Sequence, residues 1–264
     1  MILASGLEAN AVPSLAAALA YAVSAAGASR LGERGARGAL MAAWLMHLAA
    51  IAASLLGEPR FGFAPALSIT AWLVLTVYAV ERQVFPQLQA RWALAGLGSI
   101  AVLLALLYPG APLHSMASAW LPLHLALGVA SYGLFAAAAV HAWLMTRSER
   151  AIRHGDEGDA GVPLLTLERL TFRFAAAGFV LLSATLLAGL LFSEVLYGRP
   201  VRADHKTVFS ILAWIVFAVL LLGRARFGWR GRKAVRVLYA GAILLLLAYA
   251  GSRFVLEVIL RRTA

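Results

Sequence analysis

Between Phe174 and Phe192 the chain reads FAAAGFVLLSATLLAGLLF, without one charged residue. A run like this permits few folds. Inside lipid every backbone N–H and C=O must be bonded within the protein, which leaves helices and closed barrels. Barrel strands would be short and would alternate apolar with polar residues. This run is continuous and Leu/Ala-rich, and it suits a helical crossing of about 20 residues. Comparable runs recur along the 264 residues, 62% of which are hydrophobic. Charged residues make up 13%, against about 25% in a soluble domain. The expected fold is an all-α integral membrane protein, a single polytopic domain over residues 1–264.

Eight helical segments emerge, at roughly 10–29, 39–56, 64–80, 92–108, 120–145, 170–192, 206–223 and 234–260. The first ends in SAAGAS, which resembles a signal-peptidase site. No Lys or Arg precedes it, however, so it reads as a span. Arginine then sets the orientation, because basic residues favour the cytoplasmic loops. One set of loops carries Arg30, Arg34 and Arg37, then Arg82 and Arg91, then the Arg147–Arg173 cluster, then Arg224–Arg236. That set is expected to be cytoplasmic, with both termini on the periplasmic side of a bacterial inner (cytoplasmic) membrane. Residues 147–168, centred on RHGDEGDAG, read as a flexible cytoplasmic loop.

The net charge of +11 is spread over these short loops, so it reads as topology signal and not as a nucleic-acid surface. Cysteine is absent, which excludes disulfides, CxxC redox chemistry and thiolate metal sites. There is no HExxH, no Walker A loop and no GxSxG elbow. Nothing identifies a covalent reaction, and no enzymatic activity is expected. No Asp lies in the middle of a span, which weighs against an ion-coupled pump. Ser183, Thr185 and Ser210 are expected to bond their own helix backbone.

The histidines carry the remaining chemistry. His154 falls in the expected flexible loop, and His114 in the outer loop YPGAPLHSMASAW. His47 and His141 lie towards the cytoplasmic half. They form either an inner site or, the preferred reading, two separate buried histidines bonded to carbonyls. His124 and His205 begin two spans that both start at the outer surface. If those helices are neighbours, the two imidazoles suit the axial positions of a haem iron. Trp120, Gly128, Ser131 and Tyr132 share nearly one helix face with His124. An aromatic beside small residues suits a flat macrocycle. Asp204 and Lys206 flank His205, with Arg199 and Arg202 just upstream, placed to pair with haem propionates. The alternative for each outer histidine is ordinary interfacial polarity.

From Asp204 the chain reads DHKTVFSILAWIVFAVLLLGRARFGWRGRKAVRVLYAGAILLLLAYAGSRFVLEVIL. It resembles the C-terminal part of the cytochrome c assembly family, the CcsA/CcmC type of haem-handling membrane protein. Asp204 and Lys206 match the family's Asp and Lys, and Trp214 matches its inner Trp. Gly228, Trp229, Arg230, Gly231 and Arg232 match its basic loop. LPLHLALGVASYGLFAAAAVHAWL is similar to the span whose outer histidine ligates haem, which maps onto His124. The resemblance covers about 120–249. The family's tryptophan-rich loop is reduced to SEVLYGRPVRA, without Trp, and His205 stands where the family has Pro. The family's second outer histidine has no counterpart in GSRFVLEVILRRTA. This pattern resembles the shorter YpjD-like or HemX-like branch. The resemblance implies haem binding or handling related to cytochrome c biogenesis. The expected partners are the lipid bilayer, haem and other cytochrome c maturation components, with no nucleic acid. A transporter or transporter accessory subunit is the alternative, as is a regulator or scaffold docking a partner on GRARFGWRGRK.

Overall fold

The computed structural model describes residues 2–27, 32–56, 60–84, 91–112, 120–154, 162–197 and 204–259. They fold as α1 (Ile2–Ala26), α2 (Glu33–Leu56), β1 (Arg60–Phe61), α3 (Phe63–Val84), α4 (Arg91–Leu107) and β2 (Ala111–Pro112). Then follow α5 (Leu121–His154), α6 (Leu164–Leu191), the short α7 (Ser193–Tyr197), α8 (His205–Phe227) and α9 (Gly231–Leu246). Beyond α9 the chain stays helical to Ile259, with π-helical turns at Leu247–Gly251 and Val255–Ile259 around α10 (Ser252–Phe254). Among the described residues six helices are long and apolar enough to cross a membrane: α2, α3, α5, α6, α8 and Gly231–Ile259. Shorter apolar stretches, Ala11–Ala26 and Ala93–Leu107, lie in α1 and α4.

The loop expected over 147–168 is much shorter. α5 continues to His154 and α6 begins at Leu164, directly after Pro163. Charge at Arg147 marks a change of surroundings, not of backbone. Arg, Glu and Ala are good helix formers, and Arg153 and His154 suit the negative end of the helix dipole. His154 is accordingly an exposed helical residue whose Nδ1 pairs with the Arg150 carbonyl at 2.8 Å.

The helices group into two compact units, Met1–His114 with Arg253–Ala264, and Ser115–Ser252. In the first, α1 packs on α2 and α4, and α3 completes the ring by packing on both. Its core is built on small residues, with Ala17, Ala43, Ala64 and Ala95 fully buried. Without a hydrophobic drive between helices in lipid, such residues let backbones approach. At one end β1 pairs antiparallel with β2, Arg60 opposite Pro112 and Phe61 opposite Ala111. The turn into β2 needs Gly110, whose φ is 78° and whose Cβ would lie 2.6 Å from the Phe61 carbonyl carbon. In the second unit α5, α6, α8 and α9 form an equivalent ring, each beside its chain neighbour, with α9 returning to α5.

Candidate functional site

In the second unit α5 and α6 meet along one antiparallel register. A Cβ on Gly189 would lie 3.4 Å from Cε1 of His124. One on Gly128 would lie 3.6 Å from Thr185, and one on Gly178 would lie 3.2 Å from Phe135. Ser131, Ala138 and Ala142 continue the buried stripe of α5. The three-and-four spacing of these residues makes a single helix face, and their small size brings the backbones close. α5 and α8 both pack beside α6 and α9 and so lie diagonally across the ring. Their rings meet in the middle, where Phe135 stacks on Phe217 at 3.7 Å between centroids and 10° between planes. Gly241 leaves room for that stack, since its Cβ would sit 2.7 Å from Phe217.

His124 lies about three turns before Phe135, so its half-buried imidazole shares the face that points to α6 and the bundle centre. The start of α8 is at the same end. Lys206, half-buried, precedes Phe217 by about three turns and takes the inward phase. His205, one residue earlier, is rotated off that face. Its side chain is exposed, and among the described residues it makes no hydrogen bond, ion pair or ring contact. His124 and His205 thus share an end of the unit but stand on diagonal helices and in different phases.

The other expected site residues have defined work here. Asp204 is the N-cap of α8: its Oδ1 accepts from the Thr207 backbone N at 2.9 Å and from Thr207 Oγ1 at 3.0 Å. A carboxylate has the wrong sign to pair with a propionate, and capping α8 is the role the structure gives Asp204. Trp120 is 65% exposed, and its carbonyl accepts from the His124 N–H at 3.0 Å in the opening turn of α5. Tyr132 turns towards α9, where its hydroxyl donates to the Leu245 carbonyl at 2.8 Å. That bond lies just before the π-helical turn Leu247–Gly251, which Ser252 also supports by donating to Ala248 and Tyr249 carbonyls. Tyr132 is therefore a strut between α5 and α9. Arg199, Arg202 and His114 lie outside the described residues.

His47 and His141 belong to different units, and each is satisfied in its own. His47 is fully buried, with Nδ1 3.2 Å from the Tyr21 hydroxyl and Nε2 2.8 Å from Ser68 Oγ. The partners are hydroxyls on α1 and α3, not the expected carbonyl. His141 Nδ1 pairs with the Ala137 carbonyl at 2.7 Å, and its ring lies against Phe174.

Sequence reasoning passed over three features. Ser183 bonds its own Phe179 carbonyl as expected, but it also accepts from Trp214 Nε1 at 2.8 Å, tying α6 to α8. The GWRG loop is a built turn: Gly228, at φ 62°, donates to the Arg224 carbonyl, and Trp229 N donates to Gly223 O. The Trp229 ring lies on Gly223, where any Cβ would collide with it. Glu168, the lone acid at the head of α6, pairs with Arg224 at 2.5 Å and Arg230 at 3.4 Å. The only sequence sign of this was an acid facing two basic clusters.

The family model described as Cytochrome C assembly protein matches residues 36–260, most of the chain. "Inner membrane protein YpjD" of Escherichia coli K12 is 35% identical over 148 residues, 55% of this chain and 56% of that protein. An "Uncharacterized 28.8 kDa protein in nifR3-like 5'region" of Azospirillum brasilense is 35% identical over 144 residues, 53% of each chain. "Cytochrome c biogenesis protein CcsA" of Gloeobacter violaceus is 28% identical over 92 residues, 35% of this chain and 27% of that protein. The chain therefore spans about half the length of the first two of these relatives. No solved structure matches. With its apolar helices and these relatives, the chain belongs to the cytochrome c assembly protein family, in its YpjD-like branch, as a multi-pass protein of the inner membrane.

Proposed function

We propose that the protein binds haem at the His124 end of its second unit and handles it for cytochrome c biogenesis. The observation that carries this is the imidazole of His124, half-buried at the mouth of the α5–α6 seam against Gly189. The donor set suits the group. An imidazole ligates iron, and Lys206 brings a cation onto the inward face of α8. In this reading His124 would hold the haem iron, and His205, exposed in the first turn of α8 at the same end, would be the second candidate ligand. Lys206 would pair with a propionate, Trp120 would border the site, and Tyr132, bonded to α9, would close it from below. Haem supplies the redox-active iron; the protein's own work is binding, orientation and release.

The arginine distribution supports eight crossings, with α1 and α4 completing the spans and both termini in the periplasm. The His124 end then faces the periplasm. Maturation components that receive or deliver haem there are the expected partners.

Haem titration of the purified protein, followed by tryptophan quenching, tests the reading. Binding should weaken at least tenfold in His124→Ala and less in His205→Ala. Unchanged affinity in both variants would refute it.

A further inference from the structure

The opposite end of the second unit holds a basic cleft that the haem reading does not use. It has a volume of about 490 Å³, and its lining includes Glu168, Phe172 and the arginines Arg169, Arg173, Arg224 and Arg230. We infer that this cleft is a binding site for the phosphodiester headgroup of an anionic glycerophospholipid.

Charge is the first ground. Four arginines face one glutamate. Glu168, whose side chain is 12% exposed, is already shared by Arg224 and Arg230. Arg169 and Arg173, one turn apart on α6 and both exposed, have no carboxylate partner among the described residues. Guanidinium forks match phosphate oxygens two at a time.

Rigidity is the second ground. Arg224 is fixed from three sides: by Glu168, by the Phe172 ring 4.6 Å from its guanidinium carbon, and by the Trp229 carbonyl at 3.3 Å. Trp229 is itself clamped between Gly223 and the Lys233 ammonium, which lies 3.9 Å from its ring centroid. The cationic wall is thus set before any ligand arrives, so little ordering cost falls on binding.

Shape is the third ground, and it selects the source of the phosphate. The cleft is far larger than one inorganic phosphate, and Leu165, 68% exposed, lies on its rim. From Arg173 the same face of α6 runs on through Ala176, Val180 and Leu187, all exposed. A phosphate at the arginines would leave its acyl chains along that apolar stripe. Basic pockets between membrane helices take acidic headgroups in this way.

The test is native mass spectrometry and thermal unfolding of the detergent-purified protein with phosphatidylglycerol, cardiolipin, phosphatidylcholine or inorganic phosphate. The two acidic lipids should be retained and should raise the melting temperature, and phosphatidylcholine should do neither. In the double variant Arg169→Gln/Arg173→Gln, acidic-lipid retention should fall at least tenfold while the lipid-free melting temperature stays put. Equal retention in that variant, or equal retention of phosphatidylcholine, would overturn the inference. So would stabilisation by inorganic phosphate equal to that by lipid, or displacement of the lipid by haemin. His124→Ala should leave the lipid response intact, which separates this site from the haem reading.

Discussion

The two units solve the same packing problem with different materials. Each closes four main helices into a ring of chain neighbours. The first is held at its centre by a polar chain, Tyr21–His47–Ser68, set among alanines. The second is held by stacked rings, Phe135 on Phe217, with glycines cut to fit them. The contrast separates two uses of histidine in one membrane protein. His47 has both ring nitrogens committed to hydroxyls and serves as structural cement. His124 sits half-buried at the end of the α5–α6 seam, and on the proposed reading it is the residue that meets the ligand.

The sharpest way to break this contrast is to crowd each core. Gly241→Ala places a methyl against a ring already stacked on another, and should destabilise the protein by about 1–3 kcal/mol. Gly98→Ala in the first unit meets the flexible Leu75 methyl end at 2.9 Å and the Tyr21 ring only at 3.2 Å, against 2.7 Å from the ring at Gly241, and should cost less. Comparing their melting temperatures in detergent checks the difference; equal losses would remove it. Next in size, His47→Ala orphans the Tyr21 and Ser68 hydroxyls in a dry interior. A loss of about 1–2 kcal/mol is expected, with haem affinity unchanged. Smallest are the interhelical struts. Tyr132→Phe and Trp214→Phe each remove one hydrogen bond, worth about 0.6 kcal/mol in a membrane protein. Tyr132→Phe should also raise amide exchange around Leu247–Gly251, because the Leu245 carbonyl loses its donor.

Much of this was legible in the sequence. Uninterrupted apolar runs dictated the helices, and the family pattern around Gly228–Arg232 marked a basic loop, though not the tight turn that holds its glycines at φ 62° and 55°. What was not legible is relational. Spacing places His205 at the start of α8, but helical phase, referred to Phe217, turns Lys206 inward instead. That reference exists only once the Phe135–Phe217 stack is known. Asp204 read as a group beside the haem, and its work as a cap went unread because its partner, Thr207, is an ordinary residue three positions on; the Asp-x-x-Thr capping pattern was available and unused. The cleft around Glu168 joins residues more than fifty positions apart, and composition does not record such meetings.

On the proposed reading the second unit, not the first, carries the haem ligand. The direct test is the oxidised and reduced absorbance spectrum of the haem-loaded protein beside His124→Ala and His47→Ala. A Soret band lost or shifted in His124→Ala and retained in His47→Ala is the predicted result. A band that survives removal of His124 and disappears with His47 would contradict it, and would move the site to the first unit.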